Sequence, residues 1–130
     1  MKLLLDTHVW LWRLLAPEHL TPVAESALTD RTNSLHLSPV STWETLVLAR
    51  KGRIQLEPSP VEWVLDSLRR SALTAEPFDH GIALRSESLD GFASTDPADR
   101  FLVATALERG LVLVTADIAM RSFEPVKTLW

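Results

Sequence analysis

Several features are absent from this 130-residue sequence, and each absence excludes a class of protein. There is no cysteine, which excludes disulfide scaffolds, thiolate zinc sites, iron–sulfur clusters and thiol catalysis. No apolar run approaches the ~20 residues of a transmembrane helix. The apolar start, Met1–Leu5, is followed by Asp6 and by no small-residue cleavage site, which argues against a signal peptide. We therefore expect a cytoplasmic protein with no membrane partner.

An excess of basic residues is also lacking. The chain has 13 Lys and Arg against 17 Asp and Glu, a formal charge of −4, so it would not bind nucleic acid through its total charge. Its length is typical of one domain, and we expect a single domain over residues 1–130. The question is therefore where the surplus carboxylates lie.

Short apolar runs alternate with segments of helical period, which predicts an α/β fold. The predicted strands are Lys2–Leu5, Ser34–Leu37, Leu73–Ala75, Leu111–Thr115 and Val126–Leu129. The predicted helices are Thr7–Leu15, Pro22–Thr29, Pro39–Lys51, Pro60–Ala72, Asp79–Ser88, Pro97–Arg109 and Asp117–Phe123. Thr21, Ser59 and Asp96 precede three of these helices as predicted caps, and Gly52 and Gly110 follow two of them as stops.

Two acids follow predicted strands. Asp6 ends the first strand, and Asp117 follows the fourth strand after Ala116. In open α/β sheets, ligands bind beyond the carboxyl ends of the strands, so both positions are candidates for a site. The alternative for each residue is a cap of the next helix.

Three further acids lie in predicted helices or at their starts. Glu44 shares a face with Val47 and Leu48, where burial of a carboxylate is costly unless it is paired or binds a metal. The alternative is a glutamate at the rim of that face. Asp99 has Leu102 and Val103 as its i+3 and i+4 neighbours, although an acid in a first turn also favours the helix dipole. Asp96 is interpreted first as a helix cap.

If one sheet edge gathers Asp6, Glu44, Asp99 and Asp117, the four form a carboxylate cluster. Like charges a few ångströms apart raise one another's pKa, and a divalent cation relieves this repulsion. Mg²⁺ and Mn²⁺ prefer oxygen ligands, and one or two such ions serve phosphodiester hydrolysis. The sequence thus predicts a metal-dependent phosphodiesterase site.

The residues around these acids resemble the PIN-domain ribonucleases, in particular the VapC-type toxins of bacterial toxin–antitoxin pairs. The matching stretches occur in family order and cover essentially the whole chain; they are Leu3–Trp10, Ser41–Glu44, Asp96–Ala106 and Leu113–Asp117. The resemblance implies a three-layer PIN-like fold with a central, mainly parallel five-stranded sheet flanked by helices. It also implies a metal-dependent endoribonuclease that acts as a toxin.

Position by position, the resemblance assigns Asp6, Glu44, Asp99 and Asp117 to the catalytic metal site, holding one or two Mg²⁺ or Mn²⁺ ions. Thr7 and Thr115 match hydroxyl positions that orient carboxylates or water, and Asp96 is a further candidate for that role. The resemblance further implies an RNA substrate, a cognate VapB-like antitoxin and a homodimer.

Other residues admit two interpretations each. His8 is expected to pack or cap, although it lies one turn from Asp6. Core packing is the default for the four tryptophans in predicted helices, with Trp10 or Trp12 as an alternative interface residue; the four are Trp10, Trp12, Trp43 and Trp63. Arg100 is predicted to contact a phosphate or Asp96.

The densest basic patch follows the Glu44 helix and consists of Arg50, Lys51 and Arg53. We interpret it first as favourable charge at a helix C-terminus, and second as a phosphate contact.

Three other classes compete with this interpretation. A haloacid-dehalogenase-type enzyme needs a second Asp two residues after the first, where this chain has His8. A receiver domain needs an acidic pair at the first strand, where this chain has only Asp6. A non-catalytic PIN-fold module that binds RNA or protein is the main alternative, and the presence of all four acids argues against it.

Overall fold

A computed structural model describes all residues, 1–130, as alternating strands and helices. The strands are β1 (Lys2–Leu5), β2 (Ser34–Leu37), β3 (Leu73–Ala75), β4 (Val112–Val114) and β5 (Thr128–Leu129). The helices are α1 (Thr7–Leu15), α2 (Pro22–Thr29), α3 (Pro39–Arg50), α4 (Pro60–Arg70), α5 (His80–Ser86), α6 (Pro97–Arg109) and α7 (Ile118–Arg121). A 3₁₀ turn, Pro17–His19, was not predicted.

Every predicted strand and helix is present, but several are shorter than the sequence pattern indicates. α4 ends at Arg70 because Ser71 takes an extended conformation that leads into β3. The predicted fourth strand shrinks to three residues and the fifth to two. Apolar patterning therefore identifies the strands, whereas their ends depend on hydrogen bonding to neighbouring strands.

All five strands are parallel, in the order β3-β2-β1-β4-β5. Leu3 pairs with Leu35 of β2 on one side and with Val112 of β4 on the other. Along the chain, β2 and β3 are added on one side of β1, and β4 and β5 are then added on its other side. The strand order consequently reverses between β1 and β4, and a crevice forms at the carboxyl ends of such a pair.

The core has two parts, one on each face of the sheet. Leu3 and Leu5 point to the face that α1, α2 and α4 cover, and they pack with Trp10 in the first core cluster. Leu4 points to the opposite face and packs with Leu102 of α6 in the second. Successive side chains of a strand alternate between faces, so a strand buried on both faces must be apolar throughout. The predicted three-layer arrangement is confirmed.

Capping residues determine where several helices begin and end. The hydroxyl of Thr21 accepts from the backbone N–H of Ala24, and that of Ser59 accepts from Glu62. α6 ends at Gly110, whose φ of 63° is left-handed and suits a residue without a Cβ. None of the helices is long and apolar enough to cross a membrane.

Candidate metal-binding site at the carboxyl edge of the sheet

Asp6 lies directly after β1 and its side chain is buried, with 7% of the residue exposed. It occupies the position before α1 but makes no capping hydrogen bond. Instead, Thr115 after β4 donates from Oγ1 to Asp6 Oδ2 over 2.7 Å. Burial raises the pKa of Asp6, and the nearby Glu44 raises it further, against the Thr115 hydrogen bond and the His8 ring, which lower it. The alternative role as a helix cap is wrong for Asp6.

Asp117 is half-buried after β4 and does cap the next helix. Its Oδ1 accepts from the backbone N–H of Met120 over 2.9 Å, and its own N–H donates to Thr115 Oγ1 over 3.0 Å. The cap uses one carboxylate oxygen. The same residue lines the cavity described below, so capping and a site role are compatible here.

Asp99 lies in the first turn of α6 and is half-buried. Ser94, from the preceding loop, donates to Asp99 Oδ2 over 2.8 Å. The pKa of Asp99 is raised from 3.8 to about 6, chiefly by burial and also by the charges of Asp96, Asp6 and Asp117; the Ser94 hydrogen bond opposes this rise. The charges of neighbouring acids thus reach Asp99, as expected for carboxylates that share one site.

One cavity of about 430 Å³ brings the acids together at this sheet edge. We call it the acidic cavity; it is lined by Asp6, His8, Trp12, Glu44, Asp96, Asp99, Ala116 and Asp117. Its lining includes all four acids singled out from the sequence, together with Asp96, and it includes no Lys or Arg. The only nitrogen-bearing ring groups there are those of His8 and Trp12.

Glu44 reaches this cavity from the face of α3 that the sequence pattern indicates. It shares that face with Val47 and Leu48, but both are half-buried and line an adjoining cavity. The buried residues of α3 are Val40, Ser41 and Thr45. Glu44 is half-buried and Leu48 packs against the first core cluster, so Glu44 lies at the rim of an apolar face, the alternative given for it. Helical period reveals a shared face but not how deeply each of its residues is buried.

Asp96 is exposed and caps α6, as first interpreted. Its Oδ1 accepts from the backbone N–H of Ala98 over 2.8 Å. Its side chain also borders the acidic cavity, where its charge raises the pKa of Asp99.

The two threonines differ in their contacts. Thr115 holds Asp6, as described above, whereas the Thr7 hydroxyl donates to Ser41 Oγ over 2.9 Å and contacts no carboxylate. The Thr7 hydroxyl therefore orients no carboxylate, and the alternative, that it orients water, stays a prediction. That hydroxyl instead ties α1 to α3, the helix that carries Glu44.

Arg100 faces away from the acids. Its guanidinium donates to the backbone carbonyls of Ser86 and Ser94 and lies over the ring of Phe92, 5.9 Å from its centre. The predicted pairing with Asp96 is wrong, because Arg100 forms no ion pair with it, whereas a phosphate contact stays a prediction. The side chain anchors the loop that carries Ser94.

The tryptophans divide into buried and accessible residues. Trp10 is fully buried and packs against Trp63, so it is no interface residue. Trp43 is 56% exposed, so core packing is wrong for it. Trp12 is half-buried and borders the acidic cavity.

Sequence reasoning missed Ser94 and undervalued His8 and Trp12. His8 is exposed and lines the cavity, with its ring beside that of Trp12. The signal for both ring-bearing residues was their spacing in α1, where they lie four residues apart on one helical face, soon after Asp6. Ser94 lies in a loop and has no periodic pattern that identifies it.

A second polar cluster, away from the acidic cavity, was also missed. Glu76 was expected to be solvated, but only 9% of it is exposed and its Oε1 lies 2.6 Å from Nδ1 of His36. The other ring nitrogen of His36 lies 2.9 Å from Ser34 Oγ. This cluster joins β2 to the end of β3.

The acidic cavity fits a hard divalent cation in donor type and charge. Five carboxylates supply oxygen donors and no Lys or Arg balances them. The pKa of Asp99 is raised chiefly by burial and also by the surrounding acids. No group of three or more acidic or histidine side chains is arranged so that it could by itself hold a metal ion. Mg²⁺ ordinarily binds one or two carboxylates directly and keeps several waters. Carboxylates that are too far apart to bind one ion all together are therefore compatible with Mg²⁺.

Comparisons with known proteins agree with this fold. Residues 3–124 match the model of the PIN domain. The chain is 35% identical to Ribonuclease VapC22 of Mycobacterium tuberculosis, over 98% of this chain and 97% of that protein. It superposes with a TM-score of 0.72 and 14% identity on a structure of VapBC2 from Rickettsia felis bound to a DNA fragment from their promoter, covering 98% of this chain and 97% of that one. A DNA-bound VapBC from Salmonella typhimurium gives a TM-score of 0.68 and 19% identity, over 98% and 96% of the two chains.

Proposed function

The chain belongs to the PIN-domain family, and from that premise we propose that it is an endoribonuclease acting as the toxin of a toxin–antitoxin pair. Its similarity to a VapC ribonuclease extends over nearly the full length of both chains. The observation that carries the proposal is the convergence of five carboxylates on one cavity without a lysine or arginine.

The residues proposed to bind metal and to catalyse cleavage are Asp6, Glu44, Asp99 and Asp117. They come from the ends of β1 and β4 and from α3 and α6, so the fold brings together groups that are far apart in sequence. Asp96 adds negative charge at the cavity rim while capping α6.

We propose one or two Mg²⁺ or Mn²⁺ ions as the cofactor. The chemistry that such an ion supplies when bound is polarisation of the phosphodiester and a lowered pKa for water. The protein's own part is to hold acceptor oxygens in place. Thr115 fixes Asp6, Ser94 fixes one oxygen of Asp99, and the backbone of α7 fixes one oxygen of Asp117. Each of these carboxylates keeps its second oxygen available.

Further elements of the proposal follow from the family. The substrate is RNA, the partner is a VapB-like antitoxin, and the protein is a homodimer formed from a single domain over residues 1–130. Since the proposed substrate is cellular RNA, the proposed place of action is the cytoplasm.

The proposal is tested by incubating the purified protein, free of antitoxin, with several RNAs in Mg²⁺ or Mn²⁺, and in EDTA. We expect cleavage with either ion and none in EDTA. Asp99→Asn should lower the cleavage rate by about 10²–10³-fold, the usual cost of removing one group that stabilises charge in a reaction.

Asp66→Asn is the matched control, because Asp66 is exposed on α4 and pairs only with Arg70. It should cleave RNA as fast as the wild type. Undiminished cleavage by a folded Asp99→Asn protein would refute the site assignment. Absence of metal-stimulated cleavage in the wild type would favour the non-catalytic binding module.

A further inference from the structure

His8 forms a wall shared by three cavities, of which the acidic cavity is one. The second, of about 380 Å³, also borders Glu44 and Asp96 and is lined by Lys51 and Arg53; we call it the basic arm. The third, of about 390 Å³, is lined mainly by apolar groups that include Trp12 and Leu15; we call it the apolar arm. The three cavities therefore adjoin one another around His8, and we call them together the groove.

The cations of the basic arm have no acidic partner. Lys51 and Arg53 are exposed, and neither takes part in any ion pair of the protein. The positive charge of Lys51 is explained by its position at the C-terminus of α3, where a cation interacts favourably with the helix dipole. Arg53 lies beyond that end and borders both arms, a position that the helix dipole does not explain. Two unpaired cations next to an acidic site are complementary to a phosphate group adjoining the one that is cleaved.

The apolar arm begins at Trp12, whose indole borders both this arm and the acidic cavity. Three aromatic rings surround Trp12 at 5.4–5.8 Å between ring centres, and each is tilted by 34–53°. None of these neighbours lies parallel to the indole. Leu15, further along the arm, is 49% exposed. A phosphate needs no such surface, whereas an unstacked nucleobase does.

We propose that the two arms hold the nucleotide that adjoins the scissile phosphate. Its base stacks against Trp12 in the apolar arm, and its other phosphate contacts Lys51 and Arg53 in the basic arm. This inference rests on the proposed function and adds a base-binding subsite to it. The ligand class is single-stranded RNA, because the bases of a duplex are stacked inside the helix and cannot enter a side cavity.

The stacking contact is tested by RNA binding in an Asp99→Asn background, with a short fluorescent single-stranded RNA in constant Mg²⁺. Trp12→Ala should weaken binding by roughly 5- to 100-fold, the range found for loss of one base–aromatic stack, and Trp12→Phe by less. A series of RNAs, each abasic at one position, should include one that binds the parent more weakly. Trp12→Ala should bind this abasic RNA and the intact RNA equally well, because the base has lost its stacking partner. General structural damage would weaken the binding of both RNAs and would not remove the difference between them. If Trp12→Ala fails to fold, Trp12→Leu keeps the apolar bulk and replaces it.

The phosphate contact is tested by the salt dependence of binding. Lys51→Ala and Arg53→Ala should each lower the slope of log affinity against log salt by about 0.7, the value for one phosphate of a single strand. The matched controls are Lys127→Ala and Arg31→Ala. Both residues precede strands, β5 and β2, and so lie at the amino ends of the strands, away from the groove. They should leave the slope unchanged.

The inference is overturned if both basic-arm variants keep the parental slope, or if no abasic RNA distinguishes the parent from the Trp12 variants. If the wild type still cleaves RNA, either result refutes the base-binding subsite but not the proposed function. A protein segment would then be the alternative occupant of the groove. If the wild type cleaves no RNA but the slopes and the abasic contrast appear as expected, the proposed function fails and the binding subsite stands.

Discussion

At the scale of single residues, Thr115 connects two of the proposed metal ligands. Its Oγ1 donates to Asp6 and accepts from the backbone N–H of Asp117. The side chain is fully buried, so water cannot replace either hydrogen bond. A hydroxyl in this position holds the carboxylate of Asp6 next to the backbone of Asp117.

Replacement of this hydroxyl by a methyl group tests its role. Thr115→Val should lower RNA cleavage by about 10–100-fold, as is typical when a group that orients a metal ligand is lost, while Thr115→Ser should keep most activity. The measurement is the initial cleavage rate at saturating Mg²⁺. Thr105→Val is the matched control, because Thr105 is buried in α6 and donates only to the carbonyl of Phe101. Equal loss in both variants would point to general damage rather than to orientation of Asp6.

Asp99 gives a pH-dependent contribution to stability in the absence of metal. Its pKa is raised from 3.8 to about 6 in the folded protein, chiefly by burial. The folded state therefore binds more protons than the unfolded state between pH of about 4 and about 6, and stability falls as pH rises through this window.

The corresponding prediction concerns Asp99→Asn, which removes the charge and keeps an oxygen that can accept from Ser94. In EDTA, this variant should have a higher melting temperature than the wild type at pH 7, and the difference should shrink towards pH 4. Thermal unfolding from pH 4 to pH 8 measures it. A difference that is constant across this range would contradict the raised pKa of Asp99.

At the scale of elements, the transition from α6 to β4 depends on Gly110. This residue has a φ of 63°, and a Cβ added there would meet no atom within 4 Å. A substitution at this position therefore tests backbone conformation alone, without steric overlap.

Gly110→Ala should cost about 1–2 kcal/mol of unfolding free energy, because a side chain disfavours the left-handed region. Gly110→Asn should cost less, since Asn adopts this conformation more readily. Urea unfolding monitored by circular dichroism gives both values. Equal stability of the Ala variant and the wild type would show that α6 can end in another conformation.

The sequence predicted the helix that carries Asp99 from its cap and its stop, both of which are local. It also predicted the β1–α1 unit, from four apolar residues that end at Asp6. The extent of β4 and β5 was less predictable, because their lengths depend on the neighbours with which they pair. The depth of burial of Glu44 was not predictable either, since helical period does not reveal how deeply each residue of a shared face is buried.

At the scale of the whole molecule, the negative net charge of −4 is explained in part by acids that lie together. Five of the 17 acids line one cavity, where their mutual repulsion opposes folding. A divalent cation bound there would offset this repulsion. Attraction for RNA would then come from such ions and from Lys51 and Arg53, rather than from the total charge of the chain.

This view predicts that metal stabilises the fold. At ten times its dissociation constant, Mg²⁺ or Mn²⁺ should stabilise the protein by about 1.4 kcal/mol, and should raise the melting temperature by about 5 °C. EDTA should reverse the shift, and KCl of equal ionic strength should not reproduce it. Asp6→Asn and Asp99→Asn should each reduce the shift. An equal shift in these variants would place the stabilising ion elsewhere on the surface.

The sequence by itself determined the order of the elements and the α/β class, and it singled out four acids of the cavity, since apolar period, helix caps and stops are local properties. Tertiary structure decided which acids share a cavity, that Thr115 rather than Thr7 holds Asp6, and that Arg100 anchors a loop. It also decided that Glu76 is buried against His36. These outcomes depend on contacts between residues up to 109 positions apart, as for Thr115 and Asp6, and no local pattern encodes such contacts.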